Sequence, residues 1–190
     1  MTSLTGRSAQ DTEPSQLDAS SLVDIERRDA EGGRVVGIDL TDEQVARAAS
    51  LQRRHGFPQV EFVEGRIEEL PFEDTSFDAV LSNGVINLSA LKHRVFAEAA
   101  RVLRPGGRLA IADIVSGRPL KKRTRRNVEL WAACIAGAIP RNDYMGALES
   151  HGLWVTRVQT NDYRFITERA IAACRTYEVE SISLLATKTY

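Results

Sequence analysis

The residues best suited to chemistry in this chain stand just beyond, or inside, short apolar runs. Asp39 closes the run VVGIDL (35–40). A carboxylate at that place can accept hydrogen bonds from both hydroxyls of a ribose, and it can equally cap a turn. Ile67-Glu68 follows the run at 60–63, where an apolar side chain can cover an adenine and a polar one can meet its edge. Asn83 and Asn87 follow a third run and can reach into a cleft or simply hold a loop. Asp113 lies inside a fourth run and suits a satisfied structural carboxylate as well as a site. Cys134, flanked by alanines and Ile135, and Cys174 are the two cysteines. Each fits packing as readily as function.

The elements that must position these residues are legible as alternating strands and helices. Val35–Leu40, a β-branched run, reads as a strand buried in a parallel sheet. Thr41 to Gln44 fits a capping box, and the helix it opens should run to about His55, ended by Gly56 and Pro58. Residues 60–63, 77–82 and 108–115 read as further strands. Residues 91–103 are helical, with Arg104-Pro105-Gly106-Gly107 as the break. The pattern predicts one largely helical stretch over 121–139 and a short helix over 143–150. The tail offers a strand at 153–159, a helix at 168–177 and a last strand at 181–187. Residues 1–20 lack periodicity and read as a mobile arm, leaving 21–190 as a single domain. The segment 21–31 is ambiguous between a short helix and a strand with a turn. The fold class is α/β: a doubly wound sheet that ends in an antiparallel strand pair.

Composition narrows the class. The 190 residues are 43% hydrophobic and 27% charged, which suits a folded domain. No apolar run approaches the roughly 20 residues needed to cross a bilayer, and the polar start of the chain is unlike a signal peptide. Two cysteines make no disulfide scaffold, so the expected location is the cytoplasm. Acids dominate residues 1–78 and bases dominate 79–190. The densest basic run holds Arg118, Lys121, Lys122, Arg123, Arg125 and Arg126. It reads as a solvated helix face first, then as a surface for an acidic partner or anionic substrate. Nucleic acid comes last, because no aromatics interleave the run.

Together these segments carry a resemblance. LPFEDTSFDAVLSN (70–83) and RVLRPGGRLAIAD (101–113), spaced as they are after VVGIDL, resemble the post-strand signatures of class I S-adenosylmethionine-dependent methyltransferases. SNGVINLS (82–89), ADIV (112–115) and WAACIAGAI (131–139) are more narrowly similar to arsenite methyltransferases. The resemblance covers about residues 33 to 188 and implies a Rossmann-like sheet. It implies that Asp39, Leu40, Ile67 and Glu68 contact the ribose and adenine of the cofactor. It places Asn83 to Asn87 on the pocket floor near the methionine part, and Cys134 at a position where the family binds trivalent arsenic.

The departures from the family pattern shape the functional expectation. The glycine-rich turn E/D-x-G-x-G-x-G, which lets backbone approach the cofactor closely, has no counterpart ahead of VVGIDL. SLVDI (21–25) can imitate the missing first strand, yet it leaves only about eight residues for a crossover that normally needs ten or more. The sheet is therefore expected to be incomplete at its first strand, as if the chain began after the cofactor loop. Unpaired backbone in its middle would cost about 1–3 kcal/mol per buried group. A second protein chain is the favoured source of the missing strand. The N-terminal segment folding back and a poorly folding truncated product are the other readings. Gly84 stands where many relatives have cysteine, so a three-thiolate arsenic site is not expected, nor any metal site.

The leading expectation is a methyltransferase-fold subunit of a complex, not a self-sufficient methyltransferase. Its pocket would be reused for biosynthetic chemistry such as elimination or cyclisation, with either no cofactor or S-adenosylmethionine. Asn83, Asn87 and Cys134 are the candidate catalytic groups, and Asp39 or Glu68 is a possible acid or base. Trp131, Arg123, Arg125 and Arg126 are candidates for holding a small substrate, possibly presented on an acidic carrier protein. Two alternatives stand beside it: an S-adenosylmethionine-dependent methyltransferase completed by a partner chain, and a non-catalytic stabilising partner of a related enzyme.

Overall fold

The computed structural model of the chain describes residues 33–190. The expected N-terminal arm and the SLVDI segment lie outside the described residues. The chain divides into two compact units, one ending at Arg66 and one running from Ile67 to Tyr190.

In the first unit, strand β1 (Val35–Asp39) and strand β2 (Val60–Glu64) pair in parallel, with Val35 opposite Val60 and Asp39 opposite Glu64. Helix α1 (Asp42–His55) makes the crossover. Its first turn carries Asp42 and Glu43 and its last turn Arg53, Arg54 and His55, which complements the helix dipole. Gly56 ends it at φ 70°, with its N–H on the Gln52 carbonyl, a left-handed position that favours glycine. The expected capping box does not form. The Thr41 hydroxyl instead donates to Asp39 Oδ1 at 2.9 Å, so the side chain that would cap the helix is used by the turn before it. Arg34 and Glu61 are ion-paired across the two strands.

The second unit holds a four-stranded sheet in the order β3-β4-β6-β5. Strand β3 (Phe77–Asn83) runs parallel to β4 (Leu103–Val115). Strands β5 (Leu153–Asn161) and β6 (Glu180–Lys188) form the expected antiparallel pair, and β6 is also antiparallel to β4. Strand β4 starts earlier than expected. Residues 104–107 bulge out between the Phe77–Leu103 and Ala79–Arg108 pairings, with Gly106 at φ 77°. Among the described residues, β1 pairs with β2 alone and β3 with β4 alone.

Helix α2 (Lys92–Val102) and helix α5 (Arg141–Glu149) pack on one face of this sheet. Val95, Phe96, Ala99 and Ala100 of α2 meet Tyr144, Ala147 and Leu148 of α5 over Leu109, Ile111 and Val115 of β4. The pleat sends Asp113 to this same face and Ile114 to the other. There Ile114 packs with Ala170, Ala173 and Tyr177 of helix α6 (Glu168–Tyr177).

The stretch 121–139 departs most from expectation. It is not one helix but two short ones, α3 (Lys122–Arg125) and α4 (Val128–Ala132), followed by turns. Asn127 stops the first and caps the second, its side chain accepting from the Leu130 N–H at 2.9 Å. Cys134 adopts φ 58° and turns the chain away. Gly137 then lies so close to the backbone of Asn87 that a Cβ would collide with the Asn87 carbonyl.

Candidate functional site

The 3-10 turn Ile86–Leu88, which follows β3, is the floor of a cleft in the second unit. The cleft encloses about 370 Å³, near the small end of the range for small-molecule sites. Its polar and cationic lining groups are Asn87, Ser89, Lys92, His93 and Arg125. Trp131, Ile139 and Ala147 give it apolar wall. A smaller dimple of about 140 Å³ is lined by Arg125, Arg126, Asn127, Val128 and Trp131, so Arg125 and Trp131 border both hollows.

Beneath the floor is a buried polar network. Asp113 is 3% exposed. Its Oδ1 accepts from Asn87 Nδ2 at 2.8 Å and from the Ile114 N–H at 2.8 Å, and its Oδ2 accepts from the Tyr144 hydroxyl at 3.2 Å. Asn87 Nδ2 also donates to the Ile114 carbonyl at 2.6 Å. Burial pushes the Asp113 carboxyl up to about 6, against the opposing pull of these hydrogen bonds and of Lys92. The same burial raises the Tyr144 hydroxyl well above its ordinary value.

Lys92 is the cleft's half-buried cation. Its Nζ donates to the Ser89 carbonyl at 3.0 Å. Burial lowers its pKa, Asp113 opposes this, and the Arg125 guanidinium adds to it. The Ser89 hydroxyl donates to Glu68 Oε1 at 2.7 Å and accepts from the Leu91 N–H at 3.0 Å. Glu68 is thereby tied to the turn that leads into α2.

A second anchor holds the segment after Glu68. Arg101 Nε and Nη2 grip both oxygens of Glu98 at 2.8 Å each. Its other donors reach the Phe72 carbonyl at 2.7 Å, the Leu70 carbonyl at 3.0 Å and Asp74 at 2.8 Å. The Leu70 N–H completes the clamp on Glu98 at 2.8 Å.

The sequence-predicted residues are distributed unevenly. Asp39 and Leu40 are exposed in the first unit. Asp39 Oδ1 accepts from the Thr41 N–H and hydroxyl at 3.0 and 2.9 Å, which fixes the carboxylate. That arrangement fits a ribose acceptor. Ile67, Glu68, Asn83, Asn87, Arg125, Trp131 and Cys134 all lie in the second unit. Ile67 packs against the main core cluster, and Asn83 ends β3 half-buried. Of the basic run, Arg125 lines the cleft, whereas Arg123 and Arg126 are exposed outside it. Cys134 Sγ donates to the Gly84 carbonyl at 3.2 Å, and burial raises its pKa. Among the described residues no group of three His, Cys, Asp or Glu side chains is placed to hold a metal ion. No described helix is long and apolar enough to cross a membrane.

Sequence reasoning missed Lys92, Tyr144, Gly137 and the Arg101–Glu98 clamp. Lys92 opens an amphipathic helix, where a lysine ordinarily faces solvent. Tyr144 carried only a helical signal, and nothing in the sequence marks its pairing with a carboxylate 31 residues away. The Glu98–Arg101 spacing of three is a helical ion pair on sight, but its grip on 70–74 is tertiary.

The methyltransferase-domain family profile matches residues 19–169. The chain belongs to that family. It is 36% identical over 130 residues to an arsenite methyltransferase of Halobacterium salinarum, an alignment covering 68% of this chain and 33% of the relative. It is 40% identical over 147 residues to an arsenite methyltransferase of Aquipseudomonas alcaligenes, covering 74% and 42%. The arsenic(III) S-adenosylmethionine methyltransferase of Chlamydomonas reinhardtii superposes with a TM-score of 0.66 at 30% identity, covering 83% of this chain and 56% of that one. This methyltransferase-fold chain thus spans about a third to two-fifths of the length of the curated relatives it matches. S-adenosylmethionine, named in the algal protein's description, is a methyl donor.

Proposed function

We propose that this methyltransferase-fold chain acts on an organic small molecule in the cleft beside α2, as a subunit of a complex in which a second chain supplies the missing first strand. The observation that supports it is the cleft's chemistry. Its groups are amide, hydroxyl, imidazole, ammonium and guanidinium, which bind oxygen- and nitrogen-bearing molecules, and its half-buried neighbour Cys134 is a single thiol. Trivalent arsenic calls for about three converging thiolates, so arsenite is not the substrate of this cleft. Lys92 and His93 supply groups able to move a proton, while Trp131 and the 3-10 turn position the molecule. Proton transfer with positioning is enough for elimination or ring closure.

Methyl transfer itself is the second reading. Family membership and the Asp39 turn favour it. In that case Asp39 would hold the ribose, and a partner chain would supply the glycine-rich cofactor turn.

Native mass spectrometry of the protein purified from its own host, with released small molecules identified, tests both readings. A two-chain complex without nucleoside is the expected result. A complex carrying S-adenosylmethionine or S-adenosylhomocysteine selects methyl transfer, and Asp39→Ala must then weaken S-adenosylhomocysteine binding at least about tenfold. A bare, stable monomer that turns over nothing overturns the subunit reading.

A further inference from the structure

The two cations of the cleft differ from the ion-paired arginines around them. Arg101, Arg104, Arg118, Arg141 and Arg169 each meet a carboxylate. Lys92 Nζ and Arg125 Nε instead donate to backbone carbonyls, those of Ser89 at 3.0 Å and Leu120 at 3.3 Å. Among the described residues neither cation has an ion-pair partner. Asp113, the acidic group whose charge acts on Lys92, has turned its oxygens to Asn87, Ile114 and Tyr144.

Two like charges thus face one concavity, and the Arg125 guanidinium disfavours the charge on Lys92. Carbonyl partners orient them without neutralising them. An oxyanion between them would turn that repulsion into two charge-assisted hydrogen bonds. The same cleft is lined by Trp131, which is 48% exposed, and by Leu88, Ala136 and Ile139. A half-exposed indole beside an apolar wall offers a flat body a contact worth burying.

We propose that this cleft takes an organic anion, with a carboxylate or phosphate held between Lys92 and Arg125 and a flat apolar body against Trp131. The inference rests on the reading of the cleft as a small-molecule site and names the chemistry of its occupant.

The test uses tryptophan emission. Trp154→Phe, at an exposed position on β5, leaves Trp131 as the sole indole reporter. Benzoate, phenyl phosphate and neutral benzyl alcohol are titrated into the full chain. At least one anion is expected to shift Trp131 emission saturably, and the tighter of the two tells carboxylate from phosphate. Benzyl alcohol should bind at least about tenfold more weakly. Lys92→Met and Arg125→Met should each weaken the preferred anion at least about tenfold. Lys122→Met, which removes the same charge from the start of α3 at a position that does not line the cleft, should change affinity less than about twofold. Should Lys92→Met unfold the chain, Lys92→Gln and the loss of affinity with added salt take its place.

Equal binding of benzyl alcohol, unchanged affinity in the Lys92 and Arg125 variants, or no saturable response to either anion overturns the proposal. Turnover measured on the same samples separates the two claims. A chain that processes a neutral substrate while ignoring both anions refutes the anion subsite and keeps the cleft as the site. A chain that binds anions through Lys92 and Arg125 but processes nothing does the reverse.

Discussion

The side-chain amide of Asn87 donates to Oδ1 of Asp113 at 2.8 Å. This one bond joins the turn that floors the cleft to strand β4, so the shape of the cleft depends on a carboxylate that never reaches it. Tyr144 adds the third support from α5. Strand, turn and helix therefore meet at a single acidic group.

That group titrates in an accessible range. In the folded chain Asp113 keeps its proton up to about 6, against an ordinary value of 3.8. Between those values the folded chain carries the extra proton. Stability therefore falls as pH rises from about 4 to about 6, by up to roughly 3 kcal/mol. Asp113→Asn keeps acceptors for Asn87 and Ile114 and turns its new N–H toward the Tyr144 oxygen. Denaturant melts should show a flatter profile between pH 4 and 6 for this variant, and greater stability than wild type at pH 7.5. A wild-type profile that rises across the window would refute the assignment.

Gly137 sets how closely the 135–139 turn lies on the cleft floor. Any Cβ there meets the Asn87 carbonyl, and neither backbone can move without disturbing the Asn87–Asp113 bond. Gly137→Ala should destabilise the chain by about 1–3 kcal/mol and change the Trp131 emission maximum. Gly146→Ala, where a Cβ meets nothing within 4 Å on a helix, is the control and should be neutral or slightly stabilising.

Arg101 makes a different prediction, because its five bonds hold a loop and not a core. Arg101→Met should cost about 1–3 kcal/mol, and hydrogen exchange should speed up at residues 70–75 while α2 stays protected. The Arg101 hydrogen bond holds the Glu98 carboxyl below its ordinary pKa. Stability from this pair is present above the unfolded value and is lost as pH falls through the folded one. The wild-type advantage over Arg101→Met should therefore shrink on acidification below about pH 4. Uniform exchange across the unit would mean the clamp does not act locally.

How much of this was legible in the sequence follows from the range of the interactions involved. Strands 35–39, 60–64 and 77–83 and helices 42–55 and 168–177 carry local signals: β-branched runs, a left-handed glycine, charge at helix ends. Those signals survive folding because nothing tertiary competes with them. The 121–139 stretch failed because its apolar spacing is helical throughout, while the stops at Asn127, Cys134 and Gly137 come from capping and from backbone contact with Asn87. The same holds at the site. Asn87 was visible as a post-strand asparagine, but its commitment to Asp113, 26 residues away, was not. Arg125 is exposed like the rest of its basic run, and only its place in the cleft lining sets it apart.

Gly84 offers the sharpest test of what separates this cleft from a thiol site. Its carbonyl accepts from Cys134 Sγ at 3.2 Å, and a Cβ placed on it would meet nothing within 4 Å. Gly84→Cys would therefore set a second thiol beside Cys134, at a strain of about 1–2 kcal/mol for a side chain at φ 68°. Soft trivalent arsenic prefers paired sulfur. Phenylarsine oxide, which takes two thiolates, should bind the variant at least about tenfold more tightly than wild type, read by intact-mass adducts that survive dilution. Burial raises the Cys134 thiol above its ordinary pKa, so adduct formation in the variant should speed up as pH rises. Adding Cys134→Ser to Gly84→Cys should abolish the gain. If wild type retains the reagent as firmly as the variant, Cys134 and Cys174 already act as a pair, and the exclusion of arsenic from this cleft fails.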